Sequence, residues 1–152
     1  MRFVTRSDIE APADRVFAAL ADADRWERDA LRRGARVARR DGPGPLRAGS
    51  AWDCAFDLRG RRREATLRLT RLEPPQRIDL RATGRAYDAT VEVELVPLSP
   101  RRTRVITRSD VRAVTLAARI LLQSARVARA RIAARLQARA DQVFAEVASR
   151  CR

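Results

Sequence analysis

Three stretches of this 152-residue chain alternate apolar and polar side chains residue by residue: SAWDCAFDL (50–58), EATLRLTRL (64–72) and AYDATVEVELV (86–96). Period two belongs to a β-strand with one buried and one wet face. It sets Trp52, Cys54, Phe56 and Leu58 on one side of the first stretch, and Ala65, Leu67 and Leu69 on one side of the second. In the third it collects Tyr87, Ala89, Val91, Val93 and Leu95. A chain with such runs must build a sheet with one apolar face, and that face needs a cover.

Four further segments read as strands: RFVTRSDI (2–9), ARVARR (35–40), RIDLRA (77–82) and TRVITRSDV (103–111). The stretches DGPGPLRAG, RGRRR, EPPQ, TGR and PLSPRR break the chain between strands. After the first strand, APADRVFAALAD has Pro12 suited to a first helical turn and Val16, Phe17 and Leu20 at helical spacing. Asp22 is placed to cap a second short helix, ADRWERDALRR, which Gly34 ends. Residues 114–149 read as a long helix with one apolar stripe: Leu121, Ala125, Ala128, Ile132, Leu136, Val143 and Val147. A straight helix of that length would run ~54 Å, whereas a domain of this size is only about 40 Å across. A bend, a late start or fraying is therefore expected. The predicted fold is α+β and a single domain over 1–152. It has seven strands, the last six in an antiparallel meander, covered by a long C-terminal helix, with two short helices after strand 1. A chain this long buries roughly 70% of its unfolded surface, enough for a real core.

The residue inventory excludes several chemistries. There is no histidine, which removes Ser-His and Cys-His nucleophile pairs. The two cysteines, Cys54 and Cys151, are too far apart in sequence to suggest a zinc site and read as free thiols. No metal ligand cluster stands out, and no cofactor is called for. With no apolar run after a basic start, and none approaching the ~18 residues of a membrane span, the chain reads as a soluble cytoplasmic protein. The net charge is +14, and every one of the 33 basic residues is arginine. Arginine and alanine have GC-rich codons, so drift on solvated faces accounts for much of this basicity. The charge is nonetheless uneven: residues 101–152 hold 13 arginines against three acids.

The layout, with IEAPADRVFAALAD...W at its front, resembles the START-like superfamily (SRPBCC, Bet v 1-like), particularly its bacterial polyketide cyclase/dehydrase and lipid-transport branch. Ile9, Pro12, Val16, Phe17, Leu20, Asp22 and Trp26 carry the resemblance. Gly49, EPPQRIDL (73–80) and TRV (103–105) also fit. The resemblance implies a helix-grip architecture, a curved seven-stranded antiparallel sheet wrapped around the long C-terminal helix with a pocket between them, holding lipids, sterols, polyketides, quinones or hormones. Some members cyclise or dehydrate their ligand, but no shared catalytic residue carries over to this chain.

The expected cavity lining is Trp52, Cys54, Phe56, Leu67, Leu69, Leu80, Tyr87, Ala89 and Val91 from the sheet, with Leu121 and Ala125 from the helix. Each fits plain core equally well. Thr5, Ser7, Thr107 and Ser109 alternate on the inward faces of the first and last strands. Partners are expected for them, either one another across neighbouring strands, or water or a ligand. Strand parity sends the turns at 59–63 and 83–86 to one end of the sheet, together with residues 32–36 and 112. Arg32, Arg33, Arg36, Arg59, Arg61, Arg62, Arg63, Arg85 and Arg112 gather there. The sharp reading is a cationic rim for an anionic head outside an apolar pocket; the plain reading is a solvated charge run.

Catalysis has thinner support. Tyr87 could donate a proton and Asp53 or Asp57 accept one, yet both aspartates lie on the face opposite Trp52. General acid–base work needs groups converging within ~3 Å of one atom. The arginine-rich stretch 114–140 lacks aromatics to stack on bases, so dedicated nucleic-acid binding is not expected. Its apolar start, Leu116, Ile120, Leu121, Leu122 and Val127, keeps transient contact with an anionic membrane open. Three classes thus stand: a carrier or binder of a small hydrophobic or amphipathic molecule, a cyclase or dehydratase using the same cavity, and a binder of anionic surfaces. Neither the ligand nor the oligomeric state is written in the sequence.

Overall fold

A computed structural model describes residues 1–151. The elements in chain order are β1 (Arg2–Ile9), α1 (Ala13–Leu20), α2 (Ala23–Arg32), β2 (Arg36–Arg39), β3 (Ala51–Leu58), β4 (Arg61–Glu73), β5 (Arg77–Gly84), β6 (Tyr87–Ser99) and β7 (Arg102–Ala113). Then come α3 (Leu116–Ala125), a 3₁₀ turn (Arg126–Ala128) and α4 (Arg129–Arg150). The strands form one antiparallel sheet in the order β1-β7-β6-β5-β4-β3-β2. β2 to β7 is a meander, and β1 closes onto β7. This is the predicted α+β helix-grip arrangement.

Register keeps the apolar alternation in phase across the sheet. Trp52 faces Leu67, Leu69 faces Leu80, Ile78 faces Val93, and Thr107 lies opposite both Val93 and Thr5. In β4 the spacing of inward leucines slips from two to three, between Leu69 and Leu72. The register against β5 shifts at that point, between Leu69 and Arg71, and Leu72 pairs with Ile78. A bulge there inserts one residue, restores both leucines to the inner face and bends the strand. The β3–β4 hairpin turns through Arg59 and Gly60, both at positive φ (52° and 75°). That pairing suits the right-handed twist of a two-residue hairpin and sends Arg61 straight into β4.

The short helices begin as the sequence indicates. The Asp22 side chain accepts from the Arg25 amide at 3.3 Å and caps α2. Thr115 caps α3 in the same way, accepting from the Ala118 amide at 3.1 Å. The final helix is where structure and expectation part. It is two helices joined by a 3₁₀ turn, with neither proline nor glycine at the break. A 3₁₀ turn holds three residues rather than 3.6, so these three residues rotate the helical phase by roughly 60°. The single stripe is thereby cut: Val147 on α4 is fully buried while Leu121 on α3 is 62% exposed. α4 packs chiefly on β1 and α1, whereas α3 rests chiefly on β7 and the 3₁₀ turn. Among the described residues no helix is long and apolar enough to cross a membrane.

Packing divides the inner face of the sheet into two halves. Where β1 and β6 end and β7 begins, Ile9, Leu95 and Val105 are buried beneath Val16 and Phe17 of α1 and Val147 of α4. The Thr103 hydroxyl there is fully buried and donates to the Ala11 carbonyl at 2.8 Å. Toward the other end of the same strands the packing opens.

Candidate functional site

Over the open half lies a cavity of about 750 Å³, within the range of small-molecule sites. Its floor is the sheet: Trp52, Cys54 and Phe56 of β3, Ala65, Leu67 and Leu69 of β4, Ile78, Leu80 and Ala82 of β5, and Val93 of β6. Its roof is α4, through Leu136, Ala140, Val143 and Phe144. Trp26 and Ala30 of α2 close one side, and Leu46, from the loop between β2 and β3, reaches in as well. Hydrocarbon dominates these walls. The charged residues among them are Glu27 and Arg139.

Several contacts hold the walls in place. Trp52 donates its indole N–H to Glu27 Oε1 at 2.8 Å, tying β3 to α2. Beside the Trp52 ring lies the Arg39 guanidinium, 6.0 Å from its centroid. That guanidinium forks onto Asp41 at 3.0 and 3.1 Å, and Ser50 Oγ donates to the same carboxylate at 2.8 Å. Arg39 holds the Asp41 carboxyl well below the usual carboxylate range, with the Ser50 hydroxyl helping. Trp26 is fixed by its N–H to the Leu20 carbonyl at 2.7 Å and by Arg150 over its ring.

Of the lining residues expected from sequence, Trp52, Cys54, Phe56, Leu67, Leu69 and Leu80 meet at the cavity. Tyr87, Ala89, Val91, Leu121 and Ala125 are not on its wall. The β6 residues do carry the inward parity, but parity fixes the face of a strand and not the distance along it. The roof covers β6 at Val93, and Tyr87 is 36% exposed. Leu121 and Ala125 belong to α3, which the 3₁₀ turn has rotated away. Of the four inward hydroxyls read from the first and last strands, Thr5, Thr107 and Ser109 reach the wall and Ser7 does not. Residues not expected in the lining complete the site: Phe3 on β1, Glu27 on α2 and Leu46 in a Pro/Gly loop.

The catalytic candidates do not converge. Asp53 points to the outer face and is paired with Arg40, which lowers its pKa. Asp57 is exposed on the same outer face, and Tyr87 lies off the wall. Cys54 does face the cavity, but burial pushes its thiol pKa up, which disfavours the nucleophilic thiolate.

The expected arginine rim also divides. Arg33, Arg36, Arg59, Arg61, Arg62, Arg63, Arg85 and Arg112 are all exposed. Arg36, Arg62 and Arg85 line a separate polar depression with Asp53, Glu64 and Thr66, on the outward face of the sheet. Arg33 borders a groove between α2 and the end of α4. Arg112 faces outward with Asp110 at 3.4 Å, and Arg59 sits in the hairpin turn. Only Arg61 and Arg63 share the parity of the cavity floor, opposite Leu58 and Phe56. Neither has a carboxylate within ion-pair distance among the described residues. Several other sheet arginines are matched: Arg104 and Arg102 with Asp8, Arg108 with Glu94, Arg77 with Asp79.

The geometry agrees with what the chain resembles. The family model described as polyketide cyclase / dehydrase and lipid transport matches residues 1–148. The Zhui aromatase/cyclase from Streptomyces superposes with a TM-score of 0.68 at 19% identity, covering 100% of this chain and 96% of that one. Truncated norcoclaurine synthase from Thalictrum flavum gives 0.64 at 11% identity, over 82% of this chain and 81% of that one. At such identities the likeness to these structures is one of fold. No curated protein sequence matches the chain.

Proposed function

Because the chain belongs to the polyketide cyclase / dehydrase and lipid transport family, we propose that its cavity binds and carries a small hydrophobic or amphipathic molecule, of lipid, polyketide or quinone type. The observation that carries this reading is the open, hydrocarbon-walled space of about 750 Å³ between the sheet and α4. Trp52, Cys54, Phe56, Leu67, Leu69 and Leu80 would contact the guest. The two free thiols fit a reducing compartment, the cytoplasm.

Arg61 and Arg63 refine the rim. They continue the cavity face beyond Phe56 and Leu58, with no carboxylate to neutralise them, so an anionic head left outside would meet them. Oleate serves as the probe. Wild-type protein is expected to bind it, and Arg61→Glu with Arg63→Glu to weaken that binding about tenfold or more. Arg62→Glu with Arg85→Glu, the same change of charge on the outward face, should leave it nearly unchanged. Equal losses in the two variants would point to net charge rather than a rim, and no oleate binding by the wild type would count against the cavity reading itself.

A second reading, docking on an anionic membrane, draws on α3. Leu116, Ile120, Leu121 and Val127 are 57–94% exposed on or just after this helix, and Arg119, Arg126 and Arg129 accompany them. Apolar side chains with flanking arginines suit an interfacial helix. Leu116→Ser with Leu121→Ser should abolish co-sedimentation with phosphatidylglycerol vesicles at physiological salt. Retention by the variant, or no co-sedimentation of the wild type, would retire the idea.

A further inference from the structure

Hydroxyl groups on the two adjoining strands β1 and β7 meet different fates along the sheet. In the packed half, Ser7 Oγ donates to Asp141 Oδ1 at 2.9 Å and Thr103 Oγ1 to the Ala11 carbonyl at 2.8 Å. In the open half, Thr5, Thr107 and Ser109 stand together on the cavity wall. Thr5 and Thr107 are direct cross-strand neighbours, and Ser109 is the next inward residue of β7. Thr107 Oγ1 is shielded from solvent and has no hydrogen-bond partner. Thr5 and Ser109 likewise make no side-chain hydrogen bond among the described residues. Buried polar groups without partners are costly, and native interiors seldom keep them idle. The fold's own hydrogen bonds do not use these hydroxyls: valine, of threonine's shape and equally at home in a strand, would serve the sheet as well, and every other sheet residue on this wall is apolar.

We propose that Thr5, Thr107 and Ser109 form a polar subsite that hydrogen-bonds a hydroxyl or carbonyl oxygen on one edge of an otherwise apolar guest. The subsite rests on the cavity reading above and adds the ligand's chemistry to it. A turn of Thr107 about χ1 exchanges its hydroxyl with its methyl group and brings the oxygen toward the cavity with little change of shape. Hydroxyls donate and accept, so alcohol, phenol and ketone oxygens all fit, while a plain hydrocarbon leaves the three groups unsatisfied. On the opposite wall Glu27 Oε1 is engaged by Trp52, and the other charged lining residue, Arg139 of α4, is exposed to solvent, so Thr5, Thr107 and Ser109 are the uncharged polar groups of the cavity wall.

The test compares 2-naphthol with 2-methylnaphthalene, equal in skeleton and different in one hydroxyl. Their affinities are measured for the wild type and for the combined Thr5→Val, Thr107→Val and Ser109→Ala variant. The expected result is about a tenfold loss of 2-naphthol affinity in the variant, with 2-methylnaphthalene unchanged or tighter. Because these hydroxyls bond to nothing in the protein, the variant should melt no lower than the wild type. The single Thr5→Val substitution gives the same comparison on a milder change should the combined variant not fold. If both probes shift by the same factor, or if melting falls because the hydroxyls are structural, the subsite is overturned and the cavity stands. If the wild type binds neither probe, the cavity reading falls and the subsite goes with it.

Discussion

Replacing Phe17 with alanine is expected to cost about 3–5 kcal/mol of folding stability, while Phe56→Ala, the same change on another inward side chain, should cost about 1 kcal/mol. Phe17 is 6% exposed and belongs to the packed half with Ile9, Val16, Val105 and Val147. Truncation there removes buried surface and leaves a void that its neighbours, held by sheet register and α4, cannot collapse to fill. Phe56 borders space that is already open, so its loss enlarges a cavity rather than creating one. At roughly 2–4 °C per kcal/mol for a domain this size, Phe17→Ala should lower the melting temperature by on the order of 10 °C. Chemical denaturation of both variants checks the contrast. Equal costs would mean that the sheet's inner face is not divided into a packed and an open half.

Filling the cavity should do the opposite to stability and remove function. Ala82 on β5 and Ala140 on α4 look into the space from its floor and its roof. Tryptophan at both positions would place two indoles in volume now available to a guest. Aromatic side chains suit a strand, Ala140 meets the core on one side and the open space on the other, and cavity filling commonly adds about 0.5–2 kcal/mol. The double variant is expected to melt at or above the wild-type temperature and to lose at least about a hundredfold in oleate affinity. Were the interior already packed solid, the same substitutions would strain it by roughly 1–3 kcal/mol each. The two outcomes differ in sign, so stability alone separates them.

How far the sequence reaches is clear from particular residues. Alternation and turn residues together placed the seven strands, and alternation put Trp52, Cys54, Phe56, Leu67, Leu69 and Leu80 on the cavity face, because side-chain direction in a strand is a local property. It misplaced Tyr87, Ala89 and Val91 because a strand's reach under its cover is decided by other elements. The conflict between a ~54 Å rod and a ~40 Å domain foretold that the last helix could not run straight. It did not locate the break, since no proline or glycine marks Arg126–Ala128. Leu121 and Ala125 belong to the segment before that break, which lies on β7 and not over the cavity. Glu27 looked like one charge among many on α2, and only its meeting with Trp52, 25 residues away, brings it to the site. Arginine counts suggested a ring at one end of the sheet; alternation within β4 then split Arg61 and Arg63 from Arg62. Ion pairing, which no linear reading displays, distinguishes the free arginines from the matched ones.

The central claim is that the space between floor and roof accommodates a guest, and titration calorimetry of oleate into the wild type and the Ala82→Trp, Ala140→Trp variant tests it most directly. Saturable binding at a single site in the wild type, with no measurable heat from an equally well-folded variant, is the predicted result. Indistinguishable isotherms from the two proteins would contradict it, since the ligand would then be held somewhere other than inside the grip of sheet and helix.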